Sequence, residues 1–340
     1  MIVVKEMKYE NMLKMTNHLR LKGYYLNDDE DLKITFEHLE FIEPAGAIVF
    51  LNAMDKIKES KTQYEIEPIN HLRQSRSAIS YGETMGIFQL IGISDATSHT
   101  SGSTYLAPTK VGIREVYREL DENGIPLGLY FEQISGRIVN KALGLVEYNI
   151  EEKINDLFIF VVREMVRNIF DHAQTPHYYY ALQAYKTTNY VEVVIADVGV
   201  GLRATVPFSE EEIWHEQNTD EEAIKKALIP GLSAFSNHSY APEEYKNSGF
   251  GLALVKSIIQ RTGGIFSIAS GTKSITYGSA EKVVQDCDVK GTIVRMKIGL
   301  DKLGNVNFDE VLKEAEIEAI GEGFKQAPSN ASKTVKSKYI

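Results

Sequence analysis

The stretch VVREMVRNIFDHA at residues 161–173 reads as a helix apolar over most of its surface, yet it carries Glu164, Asn168 and His172, four residues apart. On a helix of about 3.6 residues per turn, steps of four advance about 40°, so the three groups form one slowly winding stripe. Val161, Val162, Met165, Val166, Ile169 and Phe170 demand burial and carry the stripe inward with them. A carboxylate and an amide on such a helix need partners, which can be protein, water, a metal ion or a ligand. A carboxylate can accept a proton, and an amide oxygen can ligate a hard cation. Taken alone, the commoner account of such a stripe is a solvated or internally satisfied helix face.

Two glycine motifs lie downstream. ADVGVG (196–201) closes a β-type run, placing Asp197 at the carboxyl end of a strand and Gly199 and Gly201 in the following turn. A carboxylate there can accept a hydrogen bond from an exocyclic amine, and the glycines let backbone approach a flat ligand or a phosphate. NSGFGLALVKSIIQRTGG (247–264) sets Gly249 and Gly251 at the mouth of a helix, where orphan N–H groups and the positive dipole end suit a phosphate. Each motif by itself is most simply a turn. Their joint order is more specific.

That order runs E-x-x-x-N on a helix, D-x-G-x-G after a strand, a long irregular segment, G-x-G opening a helix, then G-T on a strand. It resembles the histidine-kinase-like ATPase superfamily, called GHKL, over about residues 150–300. The resemblance implies an α/β sandwich with helices on one face of a mixed sheet, and it implies ATP and Mg2+ as ligands. It assigns Asn168 to the magnesium ion and Glu164 to orienting or deprotonating the attacking group. It assigns Asp197 to the adenine amine, Gly199 and Gly201 to the base pocket, Gly249 and Gly251 to the phosphates, and Thr292 in KGTIVRM to a place beside the base. Ala253 stands where the family often has glycine, and a lid of about fifty residues containing Glu210, Glu211, Glu212 and Trp214 does not align. Asp171 and His172 fill places where the family often has a polar pair; a purely structural role is equally open to them.

A histidine kinase would also need an acceptor histidine on a helical hairpin. His71 in NHLRQS lacks the usual spacing, and no heptad pattern precedes residue 150. Around residues 34–54 the chain resembles instead a STAS domain, with Glu43, Pro44, Ala45 and Gly46 at the places of D-S-S-G. The phosphorylatable serine is missing there. An unrelated α/β module is the alternative.

The elements needed to position these residues are legible. Pro44 suits the first turn of a helix over 44–60 whose buried face carries Ala47, Phe50, Leu51 and Met54. Short strands are expected at 62–67 and 104–107, and helices near 78–91 and over 112–124, with turn chemistry at 92–104. After a long helix from 151, runs at 178–185 and 190–196 predict a hairpin. A polar helical stretch (208–228), a helix at 251–262, strands at 264–270 and 291–299, and an acidic helix at 308–320 follow. The expected division is an α/β regulatory or interaction domain over 1–147, the ATP-binding domain over 148–302, and an acidic helix with a polar tail over 303–340.

The totals set bounds on function. At 340 residues with 43% apolar content, two cored domains are expected. A net charge of -10 argues against a general nucleic-acid binder or an anionic membrane surface. Cys287, the one cysteine, excludes an internal disulfide and argues against a thiolate zinc site. No run nears the roughly 20 apolar residues of a membrane span, so a cytoplasmic protein is expected. The function expected is a GHKL-type signalling or regulatory ATPase, with an anti-sigma-type protein kinase acting on an unidentified protein partner as one form. An ATP-gated interaction switch is the alternative. A DNA-manipulating relative is disfavoured by charge and by the lack of a transducer-like segment after residue 300. Oligomeric state is left open.

Overall fold

The computed structural model describes residues 1–24, 32–60, 62–67, 76–93, 102–146, 152–232, 249–278 and 281–324. It is a mixed α/β structure. The first part contains strands β1 (Ile2–Val3), β2 (Glu6–Met7), β3 (Leu32–Thr35), β4 (Phe41–Ile42) and β5 (Tyr64–Ile66), and helices α1 (Tyr9–Leu21), α2 (Pro44–Glu59), α3 (Arg76–Thr84) and α4 (Ile87–Ile91). Strands β1, β3 and β5 make a small parallel sheet, and β2 pairs parallel with β4. Pro44 occupies the first turn of α2, as its missing N–H permits. The single helix expected near 78–91 is two, because Gly86 adopts left-handed backbone (φ +72°) between α3 and α4.

The remainder supplies β6 (Tyr105–Gly112), α5 (Ile113–Asn123), α6 (Leu127–Val146), α7 (Glu152–Asn168), β7 (His177–Tyr185), β8 (Tyr190–Asp197), the short α8 (Leu202–Thr205) and α9 (Glu210–Trp214), α10 (Asp220–Ala227), α11 (Gly251–Arg261), β9 (Ile265–Tyr277), β10 (Lys282–Gly299), α12 (Leu300–Leu303) and α13 (Phe308–Gly321). Strands β6 to β10 form one sheet in the order β6-β7-β8-β10-β9. Every neighbouring pair is antiparallel, not mixed as expected. For two of the four pairs the reason is connectivity: β7–β8 and β9–β10 are hairpins, and short turns join only antiparallel strands.

Helices on one face of the sheet was the second expectation for residues 148–302, and α7 and α11 share one face, while the other face is not left open. One face carries α6, α7, α11 and α13; the other is covered by α1 and α2 of the N-terminal part. Along β8, Val191, Val193 and Ile195 join the first core, while Val194 and Ala196 join the second. A strand buried on both faces reads as continuous apolar sequence, which is why VEVVIA lacks polar alternation. Its one charge, Glu192, is buried and bound by Arg295 at 2.8 Å.

The expected boundary at residue 147 does not follow the sheet. Strand β6 pairs with β7, from Tyr105 opposite Gln183 to Gly112 opposite His177, and α6 packs on α7. A β7 edge without β6 would expose a row of unpaired backbone groups. Similarly, α13 is no detached appendage: Phe308, Val311, Ala315 and Ala319 enter the helical core, and Phe308 meets Phe160 edge to face. The polar stretch 208–228 forms two short helices, α9 opened by a Ser209–Glu212 capping box and α10 capped by Thr219. His71, most of the expected turn segment 92–104, the centre of the lid and the C-terminal tail lie outside the described residues.

Candidate functional site

Helix α7 is buried through Phe158, Val161, Val162 and Val166. Past Asn168 it widens into a π-turn over Ile169–Ala173 and stops at Gln174, whose backbone is left-handed (φ +49°). Such widened turns recur at functional sites because they re-aim side chains. Glu164 is 3% exposed, and its Oε1 has no hydrogen-bond partner among the described residues. The Arg163 Nε lies 3.7 Å away, but the Arg163 guanidinium is already bound by Glu132 at 2.7 Å. Asn168 Nδ2 is likewise buried without a partner, and a half-turn of the amide would exchange it with the oxygen. Two orphaned polar groups one turn apart cost about 1–3 kcal/mol each, more where charged, unless something binds them. Asp171 accepts from Arg167 Nε at 3.1 Å. Burial, together with the Arg167 charge, lowers the His172 pKa to about 4, leaving a neutral imidazole at pH 7.

At the end of β8, Asp197 is 5% exposed and accepts from the Gly199 N–H at 2.8 Å. Burial raises its pKa to about 7, although the backbone N–H groups of Gly199 and Thr292 favour the charged form. The glycines around it answer to close backbone approach. A Cβ on Gly199 would lie 1.8 Å from the Ala173 carbonyl oxygen, which accepts from the Val200 N–H at 3.0 Å. The π-turn is thereby fastened to the strand end. Gly291 (φ +69°) lies against Asp197 on the other side: a Cβ there would sit 2.2 Å from Asp197 Oδ1.

The second motif opens α11. Gly249 has φ +75° and would place a Cβ 2.5 Å from the Leu232 carbonyl oxygen; a Cβ on Gly251 would meet Glu164 Oε2 at 2.6 Å. Glycine at 251 thus lets the start of α11 come against the carboxylate of α7. Ala253 is buried in α11 without disturbing it.

These pieces converge on one cleft. Asn168, Asp197, Gly201, Gly249, Gly251 and Thr292 all line it, with His172 from the π-turn and apolar walls including Met165, Ile169, Ile195 and Val294. Its empty space is about 870 Å3 including the open mouth. Two expected residues do not line it. Glu164 stands behind Gly251, and Gly199 lines a neighbouring cleft that shares Gly201. Sequence reasoning missed Gly291 as a site residue, although it is the glycine of the G-T pair. It also missed the apolar walls, whose signal was the apolar period of α7 at Met165 and Ile169 and the apolar residues Ile195 and Val294 of the two strands. No Lys or Arg side chain lines the cleft among the described residues, and no group of three or more His, Cys, Asp or Glu side chains there could hold a metal ion.

The buried Asp197 yields a stability expectation with a definite sign. Its folded pKa lies above its unfolded value, so between about pH 4 and pH 7 the folded chain holds a proton that the unfolded chain has released. Its contribution to stability therefore falls as pH rises through that window and is flat above it. Asp197→Asn keeps volume and an acceptor for Gly199, so the ligand-free variant should be more stable than wild type at pH 8, by up to about 4 kcal/mol, and equal near pH 4. Denaturant melts at the two pH values check this. A variant less stable at pH 8 would show that the carboxylate is not held at a desolvation cost.

Compared with family models, curated proteins and solved structures, the chain matches none.

Proposed function

We propose that the cleft binds ATP with Mg2+ in the manner of the GHKL superfamily and that the chain is a signalling or regulatory ATPase, acting as a protein kinase on a partner protein. The observation that carries this reading is the meeting of Asn168, Asp197, Gly201, Gly249, Gly251 and Thr292 in one cleft, from four separate sequence segments. The orphaned Oε1 of Glu164 fits a proton donor, and a half-turn of the Asn168 amide, whose Nδ2 has no partner, would present its oxygen to a hard cation. When bound, Mg2+ supplies neutralisation of phosphate charge, which the cleft lining, without Lys or Arg among its described residues, does not provide. Asp197 and Thr292 hold the base, the backbone at Gly249 and Gly251 meets the phosphates at the mouth of α11, and Glu164 accepts the proton of the attacking hydroxyl. The alternative, an ATP-gated interaction switch with little turnover, is favoured by one feature: Glu164 stands behind Gly251 and does not line the cleft.

Asn168→Ala tests the metal assignment. It removes the one side-chain oxygen assigned to the ion, so ATP affinity should become nearly independent of Mg2+, whereas wild type should lose at least about tenfold when the ion is chelated. Calorimetric titration with and without chelator measures both. A variant with the full wild-type magnesium dependence would remove Asn168 from the metal site.

A further inference from the structure

The nucleotide cleft lies on the helical side of the sheet, yet the backbone at its base end is bound from the N-terminal part by a buried side chain. Asn52, on α2, is 0% exposed. Its Nδ2 donates to the Asp197 carbonyl oxygen at 3.2 Å and to the Lys290 carbonyl oxygen at 2.7 Å, and its Oδ1 accepts from the Lys290 N–H at 3.0 Å. These backbone groups sit where the sheet's own ladder gives out. Pairing of β8 with β10 ends at Ala196 opposite Ile293, and the β9–β10 register shifts between Val289 and Thr292. Asp197 keeps its partner Tyr178 on β7 but has none on β10, and Lys290 falls between the paired positions of β9 and β10. An amide side chain carries the donors and acceptor of a peptide group, so Asn52 completes the ladder from the back of the sheet.

The segments it joins carry Asp197 on one side and Gly291–Thr292 on the other. Flanking ion pairs fasten the same end of α2, with Lys56 bound to Asp288 and Lys290 to Glu59, each at 2.5 Å. We infer that Asn52 is a positioning residue for base recognition: it fixes the spacing between Asp197 and Thr292, and through it the N-terminal part sets the affinity of the cleft for the base. Displacing α2 withdraws the amide, loosens the two strand ends and weakens base discrimination. By linkage, nucleotide binding favours the docked position of α2.

The inference rests on the nucleotide reading, and the experiment separates the two. Affinities of the full chain for ADP and GDP are measured by calorimetry in wild type, Asn52→Ala and Asn52→Ser, with folding checked by thermal melts. Wild type should prefer ADP. Asn52→Ala should lower ADP affinity by about tenfold or more while changing GDP affinity less, so the preference shrinks. Asn52→Ser, which retains a donor and an acceptor, should recover part of it; should the alanine variant not fold, the serine variant is scored by the same ratio. Equal loss for both nucleotides, or an unchanged preference in a folded variant, overturns the positioning role while leaving the cleft a nucleotide site. A wild-type chain that binds neither nucleotide overturns the nucleotide reading and this inference with it.

Discussion

Glu164→Gln is expected to keep Mg·ATP bound and to lose about a hundredfold or more in phosphate release or phosphotransfer. The substitution preserves size and hydrogen-bonding reach and removes only the base. Its side chain is held from three sides, by burial in α7, by Gly251 at the start of α11 and by the nearby Arg163, so the replacement should not move its neighbours. Phosphate release measured beside ATP-dependent pull-down of the partner divides the two functional readings. In the kinase reading the variant binds and does not turn over. In the switch reading wild type itself turns over little, and the variant recruits the partner as wild type does, because recruitment follows the differential affinity of the nucleotide for one conformation. Wild-type turnover in the variant would remove Glu164 as the base.

Gly291→Ala should be the most damaging single change to binding. Its backbone is left-handed at φ +69°, where a side chain costs about 1–2 kcal/mol. The added Cβ would also meet Asp197 Oδ1 at 2.2 Å and both the Asp197 carbonyl oxygen and the Gly199 nitrogen at 2.6 Å. Two of these are backbone atoms, so the strand ends must separate and carry the Asp197 carboxylate with them. ADP affinity should fall by about a hundredfold or more, with a lowered melting temperature. Gly136→Ala is the matched control: it lies within α6 with open space around the added atom, and should be neutral or stabilising by up to about 1 kcal/mol. Near-wild-type ADP affinity in Gly291→Ala would mean that the Asp197–Gly291 contact does not shape the base pocket.

How far the sequence revealed this arrangement depended on whether a feature was local. Pro44, the hairpin at 177–197 and the α5 stop at Gly124 follow from propensity and turn chemistry, and these elements form where expected. The polar stripe of α7 was visible because Glu164 and Asn168 break an apolar period, and the structure leaves both with orphaned atoms. What was not legible depended on distant pairing. The edge strand β6 has an ordinary short β-pattern, and only its ladder with β7 assigns it to the larger sheet. The covering of the sheet's second face by α1 and α2 left one sign, the run VEVVIA with its single charge, which is also what a strand in a parallel sheet would show. Asn52 gave no sign, since an asparagine inside an apolar helix acquires its meaning from Asp197 and Lys290, which are 145 and 238 residues away.

Hydrogen exchange of the full chain with and without Mg·ATP tests the central claim most directly, because it reports binding and its location together. The account predicts added protection in three places: the turn after β8 at residues 198–202, the start of α11 at 249–254, and residues 291–293 of β10. Protection there should be greater with ATP than with GTP. Unchanged exchange in all three segments at saturating Mg·ATP, or protection confined to segments away from the cleft, would contradict it.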